Sequence, residues 1–107
     1  MLNISVNLNA LKQIILKNKK YEIRLKKGIF TNLNKGDKIN LFNRDLSSIN
    51  SIIDIQEFNS IEQLFSIIDY KLCTPLLNNK SEAIRHIHKF YKPTLLDKYN
   101  IIAIRLC

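Results

Sequence analysis

Lys19, Lys20, Glu22 and Arg24 are the chain's densest piece of potential chemistry, in the stretch Lys17-Asn18-Lys19-Lys20-Tyr21-Glu22-Ile23-Arg24-Leu25. On an alternating pleat Tyr21, Ile23 and Leu25 point one way, and Lys20, Glu22 and Arg24 the other. One face can enter a core while the opposite face carries three ionisable groups. Glu22 and Arg24 then lie about 7 Å apart between Cα atoms. An arginine so placed can grip a phosphate or a base edge through two N–H groups, while the glutamate accepts from an exocyclic amine or from Lys19. Beside two lysines, a glutamate suits the role of acceptor better than that of general acid. In open solvent the same residues would form an ion pair worth under about 1 kcal/mol.

Arg85, Lys89 and Lys92 recur at i, i+4 and i+7, a basic stripe opposite Ile84, Ile87 and Tyr91. Such a stripe can follow a phosphate backbone with an affinity that falls as salt rises, and it is equally an ordinary solvated face. The aromatics Tyr21, Phe30, Tyr70, Tyr91 and Tyr99 are mostly core by their spacing. His86 and His88 are two apart, so on a helix they diverge and cannot share a metal. Cys73 and Cys107 lie in no Cys-Xaa-Xaa-Cys pair and read as reduced thiols, without the further ligands a metal site needs. No Walker loop, dinucleotide fingerprint or nucleophile elbow is present, and no motif asks for a cofactor.

The elements that must position these residues are those of one domain of 107 residues, 46% apolar, with a single core. The formal charge of +8, from 17 basic against 9 acidic residues, favours polyanions such as RNA, DNA or an acidic membrane surface. Abundant Lys, Asn and Ile also fit the coding bias of an AT-rich genome, such as that of a virus or intracellular parasite. No apolar run reaches membrane-spanning length and no signal-like segment opens the chain, so a soluble cytoplasmic protein is expected.

Residues 2–6 alternate as a short strand. Asn7 or Asn9 can cap a helix reaching about Asn18, with Leu8, Leu11 and Ile15 on its face and Ile14 widening it. The charged strand follows at 20–26, then a turn carrying Phe30 and Leu33 inward. Asn34-Lys35-Gly36-Asp37 is a turn by composition, with Asp37 holding it. It opens a strand at 38–43. A long strand at 49–58 breaks strict alternation at Ile52-Ile53, which predicts a bulge or twist there. Ser60 with Gln63, and Asn79 with Glu82, predict capped helices to about Leu72 and over 80–91. Pro93 closes the second of these, and 99–106 is the last strand. The order β-α-β-β-β-α-α-β, with no βαβ rhythm, predicts an α+β fold. That fold is a small, mostly antiparallel β-barrel of about five strands flanked by about three helices.

This pattern resembles the ASCH domain of the PUA-like superfamily across residues 2 to 106. The matching pieces are Asn18-Lys19-Lys20-Tyr21-Glu22-Ile23-Arg24-Leu25, the turn Lys35-Gly36-Asp37-Lys38-Ile39, and Phe90-Tyr91-Lys92 ahead of Tyr99-Asn100-Ile101-Ile102-Ala103-Ile104. Asn18 and Asn100 replace glycines of the family pattern, and asparagine tolerates left-handed backbone. The resemblance implies a cleft between barrel and helices that binds RNA or a nucleotide-like ligand through Lys19, Lys20, Glu22, Arg24 and Tyr91. The stripe of Arg85, Lys89 and Lys92 would guide phosphates. Some small relatives hydrolyse an acetylated cytidine with a Lys, a Thr and a Glu. Lys19 matches the lysine, Glu22 stands at the threonine's position, and Glu62 is the candidate for the glutamate. A small amidohydrolase or ribonuclease with Lys19 and Glu22 as polar catalysts is therefore the second function class. A protein-interaction module without catalysis is the third.

Overall fold

The computed structural model describes residues 1–107. Strand β1 (Leu2–Ser5) leads into helix α1 (Leu8–Ile15), capped by the Asn7 side chain, which accepts from the Ala10 amide at 2.7 Å. The charged stretch forms β2 (Tyr21–Leu25), and β3 (Lys38–Asn43) and β4 (Leu46–Phe58) make a hairpin. Helices α2 (Ile61–Ile67), α3 (Lys80–Phe90) and α4 (Pro93–Lys98) follow, and β5 (Ile101–Leu106) closes the order. Single 3₁₀ turns at Gly28–Thr31 and Tyr70–Leu72 fill two of the connections.

The strands lie in the order β1-β3-β4-β5-β2 as one curled half-barrel sheet, antiparallel except where β1 runs parallel to β3. The long strand β4 turns the corner. Its first half pairs with β3 and its second with β5, and the register shifts between Ile52 and Asp54, as the doubled isoleucine predicts. The Gly36 turn is docked on that shift: the Gly36 amide donates to Ile52 O and the Ile52 amide to Asp37 O, each at 2.8 Å. Asp37 in turn accepts the Asn34 amide. Gly36 has φ +94, a backbone that glycine adopts without strain.

Two apolar clusters share the sheet. Inside the curl, Leu11 and Ile14 of α1 pack on Ile4, Ile39, Leu41, Ile52, Ile102, Ile104 and Leu106. On the other face, Tyr21, Ile23, Leu25, Ile101 and Ala103 meet Ile61, Leu64, Phe65 and Ile68 of the α2 segment, with Ala83 and Ile87 of α3. Each fully buried Ile or Leu contributes roughly 1.5–3 kcal/mol, and β5 supplies both layers.

Several boundaries differ from expectation for local reasons. The first helix stops at Ile15, and Ile14 rather than Ile15 is central; Leu8 and Ile15 are about 40% exposed (43% and 40%). The left-handed residue after it is Lys17 (φ 66), not Asn18. Helix α2 ends at Ile67, with Leu72 in a 3₁₀ turn. Strand β4 begins at Leu46 because Arg44 and Asp45 alone make the hairpin turn, Arg44 with φ 53. Pro93 does not merely close α3: it starts α4, since a proline without an amide donor fits a first helical turn. Both capping pairs form, Ser60 and Asn79 accepting the amides of Gln63 and Glu82.

Candidate functional site

Strand β2 is an edge strand, paired on one side only with β5, where Glu22 faces Ile104 and Arg24 faces Ile102. Alternation therefore sends Glu22 and Arg24 to the face opposite Tyr21, Ile23 and Leu25, as predicted. That face is not open water. The Glu22 side chain is only 8% exposed, enclosed by its own cations. Arg24 donates Nε and Nη2 to Glu22 Oε2 at 3.1 and 2.7 Å, and Lys19 Nζ stands 3.5 Å from Oε1.

Each cation is fixed by a second contact. Lys19 donates to the Cys73 carbonyl at 2.6 Å, across 54 residues of sequence. Arg24 Nη2 also reaches Ser5 O at 3.2 Å, and its guanidinium lies over the Phe30 ring at 5.3 Å. Because Ser5 belongs to β1, the two edge strands of the half-barrel are tied by this one side chain. Arg24 Nη1 and at least one Lys19 N–H remain without a protein acceptor. A buried pair of opposite charges gains little net stability, because desolvation offsets the attraction. A third charge beside it, here a cation, leaves a part-buried net positive cluster with donors to spare.

Tyr91 follows α3 and is half-buried beside the cluster, its hydroxyl 3.4 Å from Ile23 O. Burial pushes its phenol up; the Arg24 charge opposes this and the Glu22 charge adds to it. Burial likewise pushes the Cys73 thiol up to about 12, against the pull of Lys19. His86 is held below its ordinary value by burial first, then by the charges of Lys89 and Lys19. Cys73 thus borders the cluster through the carbonyl that Lys19 bonds, a placement no sequence spacing signals.

The other expected residues are distributed as follows. Lys20 is exposed just before β2, and it lines two depressions, one with Lys19 and one with Lys71. Arg85, Lys89 and Lys92 are all exposed along and just past α3. Glu62 does not join Lys19 and Glu22: it lies on α2, exposed, 3.4 Å from His88. Chemically, the arrangement is a fixed acceptor that orients two donors.

No family model matches the chain, and no curated protein matches it significantly. Solved structures do match. A hypothetical protein, PH0355, superposes with a TM-score of 0.88 at 19% identity, over 98% of this chain and 95% of its own. The solution structure of PF0455 from Pyrococcus furiosus gives 0.79 at 23% identity, over 98% and 94%. The ASCH protein of Zymomonas mobilis gives 0.67 at 16% identity, over 98% of this chain and 65% of that one. The chain has the ASCH fold.

Proposed function

We propose that the chain is an RNA-binding module of the ASCH type, seating a nucleotide at Lys19, Lys20, Glu22, Arg24 and Tyr91. One observation carries this reading: Glu22 is buried between Lys19 and Arg24, which fixes both cations while leaving unspent donors on each. Fixed, part-desolvated donors suit phosphate and base oxygens, because little ordering remains to be done on binding. Lys20 adds charge at the rim, and the half-buried Tyr91 ring offers a surface on which a base can stack. Arg85, Lys89 and Lys92 then guide the flanking phosphates through exposed charge.

The test is RNA affinity as a function of salt for wild type, Arg24→Ala and Arg24→Lys, each checked for folding by thermal melting. Arg24 holds Glu22 through the forked Nε and Nη2 contact and donates to the ligand from Nη1, which predicts at least a tenfold loss for both variants, since lysine cannot make the forked contact and donate onward as well. Equal affinities in folded variants would remove Arg24 from the site.

A further inference from the structure

A wide-mouthed depression of about 740 Å³ lies between the end of α1 and the loop joining α2 to α3. Lys17 stands on the helix side, Lys71 and the aliphatic run Pro75-Leu76-Leu77 on the loop side, and Lys20 completes the charged part of the lining. All three lysines are exposed and none is in an ion pair. No acidic side chain lines the depression.

The loop is braced at several points. Asp69 accepts the Lys71 amide at 3.0 Å, and Tyr70 O accepts both the amide and the hydroxyl of Thr74, at 2.7 and 3.0 Å. The Tyr70 hydroxyl donates to Asn78 O at 2.9 Å, and the Lys20 amide donates to Leu72 O at 2.7 Å. Leu72 and Leu77 pack against the cluster under α2 and α3. Leu76 does not: it is 61% exposed, and neither its amide nor its carbonyl has a protein partner. A lone exposed leucine is ordinary. This one is held outward by a bonded loop, beside unpaired cations and with free main-chain groups of its own. An extended segment of another chain needs those same features, main-chain partners and a seat for an apolar side chain.

The chemistry of the lining selects the partner. Lysines are point charges that meet carboxylates as well as phosphates, so the apolar part decides. Single-stranded nucleic acid is held by stacking on aromatic faces. Here the one ring, Tyr70, packs against the core cluster and its hydroxyl is bound. Pro75 and Leu76 suit an aliphatic or phenyl side chain instead. We propose that this depression docks an extended acidic segment of a partner protein, with an apolar side chain seated on Pro75 and Leu76 and flanking carboxylates on Lys17, Lys20 and Lys71. The surface shares only Lys20 with the Glu22 cluster, leaves Lys19, Glu22, Arg24 and Tyr91 free, and stands without the RNA reading.

The probe is a synthetic peptide, Asp-Glu-Asp-Leu-Phe-Asp-Glu, titrated into the full chain and followed by amide chemical shifts. A second peptide with both apolar residues replaced by serine keeps the charge, and a single-stranded uridine oligonucleotide tests the competing class. The first peptide should bind saturably, move the amides of Lys71 and Leu76, and bind about fivefold more tightly than the serine peptide. Leu76→Ser should weaken it by a similar factor and Lys71→Glu by about tenfold. Both side chains are exposed, and thermal melting checks that each variant is folded. Lys38→Glu makes the same charge change on β3, outside the depression, and should leave affinity within about twofold. No saturable binding at millimolar peptide overturns the proposal. So does equal binding of the serine peptide, an equal loss in Lys38→Glu and Lys71→Glu, or equally strong shifts of Lys71 and Leu76 by the oligonucleotide, which would assign the surface to nucleic acid.

Discussion

Arg24 is held from three sides at once, by the Glu22 carboxylate, the Ser5 carbonyl and the Phe30 ring. Its placement on the polar face of β2 was legible in the sequence, because period-two alternation around Tyr21, Ile23 and Leu25 leaves no other side for it. Its partners were not. Ser5 lies 19 residues back and the Lys19 acceptor on Cys73 lies 54 ahead, and no local pattern encodes such distances. Cys73 yields a prediction of its own. Its thiol is pushed from an ordinary 9.0 up to about 12 in the folded chain, so the folded state keeps a proton that the unfolded chain releases. That contribution is complete below about pH 9 and is lost as pH rises towards 12. Tyr91, also raised by burial, acts in the same direction at its own range. Urea midpoints should therefore fall steadily from pH 9 to 11, and Cys73→Ala, less stable by about 1 kcal/mol at neutral pH, should show a shallower fall.

At the scale of elements, both capped helix starts were readable, since Ser60 with Gln63 and Asn79 with Glu82 encode their bonds within four residues. The bulge in β4 was readable too, from Ile52-Ile53. Helix α4 was not, because a proline that ends one helix and a proline that begins the next look alike until the neighbouring backbone is known. The Gly36 turn connects these elements, as its amide and the Asp37 carbonyl brace the point where β4 changes partners. A Cβ at Gly36 would meet no atom within 4 Å, so the only cost of a side chain there is its φ of +94. Gly36→Ala should therefore destabilise by about 1 kcal/mol or somewhat more in chemical denaturation. Amide exchange at Ile52 should quicken first, because that amide is bonded to the turn.

For the molecule as a whole, the charge of +8 is spread unevenly in its uses. Lys19, Arg24 and Lys26 are engaged by carboxylates, Lys26 by Glu57 at 2.7 Å. Arg85, Lys89 and Lys92 have no such partners and stand exposed, two on α3 and Lys92 just past its end. Counting charge in the sequence could not separate these two groups, because pairing is a property of the fold. If the free cations contact phosphates, neutralising all three should lower the slope of log affinity against log salt by roughly 2–3 for single-stranded RNA. Affinity at high salt should change far less. A slope unchanged within error would assign that surface to solvent alone.

Strand β5 is the last of the five to leave the ribosome, yet it takes the place between β4 and β2 and feeds apolar side chains to both layers. Until residues 101–106 emerge, β2 has no neighbour to pair with and the α2–α3 layer has no sheet centre to rest on. A nascent chain can therefore build the β3–β4 hairpin early but must wait for its final strand to become a domain. Ribosome-bound chains stalled before Ile101 should remain protease-sensitive throughout the β2 region, and those released beyond Leu106 should not.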